Sequence, residues 1–241
     1  MRTYCDCIPC FVRQALDSVR ALTADETMHE RVLREALRVA ADMDFRQPPP
    51  AMGQRIHRAI RSLVGHSDPY RGQKDRFNRF ALELYPQCCA WADRSDHPLE
   101  TALRLALGGN VIDLGVRSEL EDSEIRQSVV ESLSVPLDGE VGEFARAVAS
   151  ATRLLYLADN AGEIVFDRLL IERIGPEKVT VAVRGAPVIN DATLSDAEAA
   201  GLTGLVEVID NGSDAPGTIL DDCSPQFRQR FEQADLVLVK G

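Results

Sequence analysis

Apolar residues recur every three or four positions through the first hundred residues, and in short unbroken runs after residue 150. The first pattern is that of amphipathic helices, the second that of buried strands. Phe11, Val12, Ala15, Leu16 and Val19 mark a first helix, with Pro9 near its start. Val32, Leu33, Ala36, Leu37 and Ala40 mark a second, from Met28 to Met43, which Pro48-Pro49-Pro50 must end because prolines cannot donate helical hydrogen bonds. Helices are expected at Met52–Val64, at about Lys74–Asp93 and, after His97-Pro98, at Leu99–Leu107 up to Gly108-Gly109. Gly115–Ala151 reads as helical, with a turn signal at Asp138-Gly139.

Beyond that point apolar runs alternate with helical stretches. Strands are predicted at Arg153–Ala158, Val179–Val183, Val206–Ile209 and Leu236–Val239. Helices are predicted after Glu163 up to Gly175-Pro176, at Leu194–Ala200 and at Pro225–Ala234. Such alternation implies βαβ units and a mainly parallel sheet. The expected architecture is a helical N-terminal region, residues 1–105, packed on an α/β core, residues 106–241.

Composition adds little to the fold and something to the partners. A chain of 241 residues with 45% hydrophobic and 27% charged residues is an ordinary globular one, long enough to bury its own core without disulfides. The net charge is −11. It is unevenly spread, +2 over residues 1–105 and −13 over the remainder. That balance disfavours nucleic acid or an anionic membrane as a partner. Excess surface carboxylate serves solubility, but some of these carboxylates could hold a cation. The N-terminus has no apolar stretch of a secretory signal, and no run approaches the length of a spanning helix. With no regular cysteine framework, a reducing, cytoplasmic setting is expected.

In open α/β sheets ligands gather at the carboxyl ends of strands. Three such turns carry chemistry. Asp159-Asn160-Ala161-Gly162-Glu163 follows the first strand; Asp159 and Asn160 offer two hard oxygens, and the helix start beyond them offers N–H groups. The plainer reading is that Asp159 or Asn160 caps the helix and Glu163 completes a capping box. Arg184 to Thr193 follows the second strand, with Arg184 suited to a phosphate and Asp191 to a cation, or else to the surface and to a cap. Lys240-Gly241 follows the last strand, where a lysine can meet a phosphate oxygen as a point charge. Asn110 and Asp113, in Gly109-Asn-Val-Ile-Asp113, are turn residues or reach into a cleft.

The chain has no phosphate-binding P-loop, no G-x-G-x-x-G, no G-x-S-x-G and no H-E-x-x-H, and its four histidines share no ligand spacing. Cys7-Ile-Pro-Cys10 has the spacing of a metal or redox pair, with Cys5 beside it. A second C-x-x-C is missing; Cys5, Cys88 or Cys89 would have to complete a four-ligand site.

Taken together, these stretches resemble the damage-control phosphatases, once catalogued as domain of unknown function family 89, in their prokaryotic branch. The matching segments, in order, are Cys7–Cys10, Arg55-Ile-His-Arg58, Asp68-Pro-Tyr70 with Lys74, Gly109–Asp113, Asp159–Glu163 through Asp167, Arg184-Gly185 with Pro187 and Asp191-Ala-Thr193, and Leu236–Gly241. The resemblance implies a Rossmann-like three-layer α/β/α core and metal-dependent removal of phosphate from small phosphorylated metabolites. It implies a divalent ion (magnesium, manganese, cobalt or nickel) held by Asp159, Asn160 and Asp191, and a phosphate-contacting segment opened by Lys240 and Gly241. The family continues past this pair with an asparagine, a glutamate, another strand and a helix. With the chain stopping at Gly241, its core is expected to lack that C-terminal end.

On this reading Asn110, Arg184 and Lys240 bind the phosphate, and Glu163 or Asp113 orients or deprotonates the attacking water, with Asp159 as a covalent nucleophile the other option. Two further classes stay open at this point. One is a non-catalytic metal- or metabolite-binding module of the same fold. The other is a thiol-based redox or iron–sulfur protein built on the N-terminal cysteines.

Overall fold

A computed structural model describes residues 2–65, 68–112 and 121–241 of the chain. Three helices, α1 (Cys7–Leu22), α2 (Glu26–Ala41) and α3 (Pro49–Val64), form the N-terminal unit. Their apolar stripes meet in a small core of their own, with Phe11, Ala15, Val19, Val32, Ala36, Met52, Ile56 and Ile60 at its centre. Asp25 caps α2 by accepting from the backbone N–H of Thr27 at 2.9 Å. Pro49 begins α3, where a missing N–H costs nothing.

Four more helices lead to the sheet: α4 (Arg71–Asp93), α5 (Pro98–Gly109), α6 (Asp122–Glu131) and α7 (Val141–Ser150). α4 and α5 do not belong to the first core. Phe77, Ala81, Leu84, Leu105 and Ala106 pack into the large core under the sheet. Residue 105 thus lies in the middle of α5, within one continuous core.

The remainder alternates as expected: β1 (Leu154–Leu157), α8 (Glu163–Ile174), β2 (Val179–Val183), α9 (Leu194–Ala199), β3 (Glu207–Asp210), α10 (Pro225–Gln233) and β4 (Leu236–Val239). The four strands are all parallel, in the order β3-β2-β1-β4. β1 is central and buried along its whole length, as a parallel strand covered on both faces must be. Leu154, Tyr156, Val179, Val181 and Val183 face the core containing α4, α5 and α8. Leu155, Leu157, Ala182 and Ile209 face the other way, against Phe227 of α10. The chain leaves β1 toward β2, whereas β4 lies on the opposite side of β1, so the segments after β1 and β4 diverge. A crevice opens at that reversal. The β1–β4 register pairs Leu157 with Val239, which brings Ala158-Asp159 level with Lys240-Gly241.

Candidate active site

The turn after β1 is built around Gly162, which holds φ +82. A Cβ there would stand 2.8 Å from Cβ of Phe77, so the position requires glycine on both counts. Its N–H donates to Oδ1 of Asn78 in α4 at 2.6 Å. α8 begins at Glu163 without a side-chain cap. Asp159 and Asn160 therefore do not spend their side chains on the helix. The Glu163 carboxylate is fully buried and turns back as the glutamate half of a capping box, its Oε2 accepting from the Asn160 backbone N–H at 3.4 Å and also from Nδ2 of Asn160 at 3.2 Å.

The turn after β2 resolves the same way. Thr193 and Asp196 form the capping box of α9, which leaves Asp191 out of any cap. Arg184 is not a surface residue; 5% of its side chain is exposed. Its Nε donates to Oδ2 of Asp191 at 2.6 Å and its Nη2 to Oδ1 of Asp159 at 3.1 Å. Burial opposes this guanidinium's charge, but Asp191 and Asp159 outweigh it and raise its pKa above the ordinary value. The two turns are fastened together by backbone: Ala192 N–H to Asp159 C=O at 2.6 Å, Ala161 N–H to Asn190 C=O at 2.8 Å, and a bridge between Asn160 and Asp191. Between Arg184 and Asp191, Ile189 adopts φ +43, unlike every other non-glycine among the described residues. A β-branched side chain in that region is strained, and such strain collects at functional sites.

A cavity of about 840 Å³ opens over these turns. Asp159, Asn160, Arg184, Asp191, Lys240 and Gly241 line its sheet side. The opposite wall comes from the N-terminus, with Tyr4, Cys7, Cys10 and Gln14, and from the prolines Pro49, Pro50 and Pro216. Nothing in the sequence pattern connects these segments to the strand ends.

Lys240 differs from its expected part. Its ammonium donates to the Ala106 carbonyl at 2.8 Å and to Oδ1 of Asp167 at 3.0 Å, and it forms an ion pair with the Glu163 carboxylate. Burial disfavours its charge, yet Asp167 and Glu163 raise its pKa. Lys240 therefore holds Glu163 from beneath and does not present a free point charge to the cavity. Asp167 in turn accepts from the Tyr156 hydroxyl at 2.7 Å, and burial pushes its carboxyl up to about 6. Asn110 also departs from expectation: it follows the end of α5, is exposed, and does not line the cavity. Asp113 lies outside the described residues.

The sequence offered no signal for Asn78, a polar residue inside a helix, nor for Tyr4 and Gln14. Cys7 and Cys10 were visible as a pair, but not as cavity residues. Cys5, Cys7 and Cys10 are not gathered with Cys88 or Cys89; the last two belong to α4 and the large core. Among the described residues, no three His, Cys, Asp or Glu side chains are grouped so as to hold a metal by themselves.

The parallel α/β fold thus brings carboxylates and an arginine together at its strand ends. Residues 3–241 match the damage-control phosphatase ARMT1-like domain, and the chain belongs to that family. A damage-control phosphatase of Archaeoglobus fulgidus is 33% identical over 244 residues, 98% of this chain and 83% of that one. One from Pyrococcus horikoshii is 31% identical over 251 residues, 100% of this chain and 84% of the relative. An uncharacterised protein of Methanocaldococcus jannaschii is 32% identical across 98% of this chain and 80% of its own length. The crystal structure of a domain-of-unknown-function-89 family protein from Pyrococcus horikoshii superimposes with a TM-score of 0.88 at 29% identity, covering 100% of this chain and 85% of the other. The family supports a phosphatase role in metabolite repair.

Proposed function

We propose that the chain is a metal-dependent hydrolase of small phosphomonoester metabolites, working at the crevice of a Rossmann-like α/β core. The observation that carries this reading is the meeting of Asp159 and Asp191 on one cationic group, Arg184, across two turns fastened by backbone. Two carboxylates from different strand ends converge on a single positive charge, which isolated helix caps do not do.

The donor set fits a hard divalent ion. Asp159, Asp191 and the Asn160 carboxamide supply oxygen, the ligand type that magnesium and manganese prefer, and cobalt or nickel also accept. With two carboxylates and one amide, part of the coordination shell would fall to water and phosphate. Such an ion, when bound, polarises phosphoryl oxygens and lowers the pKa of water.

The chain's own residues supply the rest. Arg184 presents a planar guanidinium suited to phosphate oxygens. Glu163 fixes the Asn160 side chain through its Oε2, and Lys240 fixes Glu163. Glu163 is fully buried and does not line the cavity, so its part on this reading is to position Asn160 and not to orient a water. A cavity of about 840 Å³ holds a metabolite-sized organic group beyond the phosphate. The acidic net charge disfavours nucleic acid or an anionic membrane as a partner. No helix among the described residues is long and apolar enough to cross a membrane.

Hydrolysis of p-nitrophenyl phosphate and of sugar phosphates with magnesium, manganese, cobalt or nickel is the test. Asp159→Asn and Asp191→Asn are each expected to lower the metal-stimulated rate by about 100-fold or more and to weaken metal binding in equilibrium dialysis. Retention of full activity by either variant would refute the assignment.

A further inference from the structure

Part of the cavity wall comes from the start of α1, and its first turn carries a thiol pair. The six cysteines fall into two groups. Cys88 and Cys223 are buried and Cys89 half-buried, and burial raises the pKa of all three thiols. Cys5 and Cys10 are exposed and Cys7 partly so, and none of the six is in a disulfide. Cys7 is the first residue of α1 and Cys10 the fourth, so they share one face of its first turn. Pro9 between them sits where a helix has no use for an N–H. Both residues line the cavity that Asp159 and Asp191 also line. Each also anchors another cavity residue: the Cys7 Sγ accepts from the Tyr4 backbone N–H at 3.5 Å, and the Cys10 Sγ from Nε2 of Gln14 at 3.4 Å.

We infer that Cys7 and Cys10 are a reversible disulfide modification site whose closure weakens the binding of the phosphoester's organic group. The kinetic half of this inference rests on the phosphatase reading; the chemical half does not. The oxidant is a low-molecular-weight disulfide. One cysteine thiolate attacks it, forming a mixed disulfide and releasing one thiol. The second thiolate then attacks the protein sulfur of that mixed disulfide, the Cys7–Cys10 bond forms, and the second thiol leaves. The two protein sulfurs lose two electrons, the oxidant gains them, and the two cysteine protons end on the released thiols. C-x-x-C pairs at helix starts are well placed for this exchange.

Closure must move the wall. Helical residues three apart hold their Cβ atoms about 5–6 Å apart, whereas a disulfide requires about 3.5–4.5 Å. The first turn tightens, and the sulfur contacts to Tyr4 and Gln14 are disturbed. Asp159, Asn160 and Asp191 sit on the sheet and stay in place. The effect therefore falls on KM and not on kcat.

The test uses the full chain with Cys5→Ser, which removes the neighbouring exposed thiol, treated with glutathione disulfide. The expected product has lost two hydrogens in mass, and fragmentation joins Cys7 to Cys10. Its KM for p-nitrophenyl phosphate rises about fivefold or more with kcat within about twofold, and dithiothreitol reverses both changes. Adding Cys7→Ser or Cys10→Ser yields a glutathione adduct instead of the internal bond. Thiols that stay reduced in the Cys5→Ser protein, or a Cys7–Cys10 bond that leaves KM unmoved, overturn the inference. A protein that forms the bond but hydrolyses no phosphoester with any of the four ions upholds the thiol pair and defeats the phosphatase reading.

Discussion

Lys240 shows how far a side chain's neighbours can redefine it. A lysine after a strand suggests a phosphate contact, but here its charge balances two buried carboxylates, Glu163 and Asp167. Lys240→Met is expected to leave those carboxylates unmatched and to cost about 3–5 kcal/mol, read as a lowered urea midpoint. His57 gives the pH dependence. It is 3% exposed, its Nε2 has no hydrogen-bond partner, and burial, with Arg61 adding, holds its pKa down at about 4. Between pH 6.5 and 4 the unfolded chain takes up a proton that the folded chain refuses. The stability due to neutral His57 is thus complete above pH 6.5 and is lost as pH falls toward 4, by about 3 kcal/mol. Denaturation curves across that window should show the wild type losing about 3 kcal/mol more than His57→Leu as the pH drops from 6.5 to 4.

At the scale of elements, the start of α8 decides the site. Gly162 permits the turn, Asn78 from α4 receives its N–H, and Asp159 and Asn160, with no side-chain cap on α8, line the cavity. Gly162→Ala combines a left-handed backbone with a collision against Phe77, and is expected to destabilise by about 3 kcal/mol in urea denaturation. Elements were well legible in the sequence, because burial of one helical face or of a whole parallel strand leaves a periodic trace. Caps were not. Asp-Asn-x-Gly-Glu reads as a capping box, of which the Glu163 half forms and the side-chain cap does not, and Glu163 is held as well by Lys240, 77 positions away along the chain.

At the scale of the molecule, α3 ties the N-terminal unit to the strand-end loops. Asp214 accepts from Arg58 Nη2 at 2.6 Å, from Gln54 Nε2 at 2.7 Å and from Arg61, which also donates to the Pro187 carbonyl at 3.0 Å. These contacts hold the wall carrying Tyr4, Cys7 and Cys10 over the floor carrying Asp159 and Asp191. Asp214→Ala is expected to cost about 2 kcal/mol and to make α1–α3 the first segment cut in limited proteolysis.

The sequence by itself determined the order and type of the elements, the parallel sheet and the acidic turns at its strand ends. Each of these follows from local periodicity or from a residue's place beside a strand. The tertiary structure decided that Arg184 is buried between Asp159 and Asp191, that Lys240 points inward, and that the first turn of α1 faces the strand ends. Those outcomes depend on contacts between residues far apart in the chain, and the balance of burial against charge is set only where they meet.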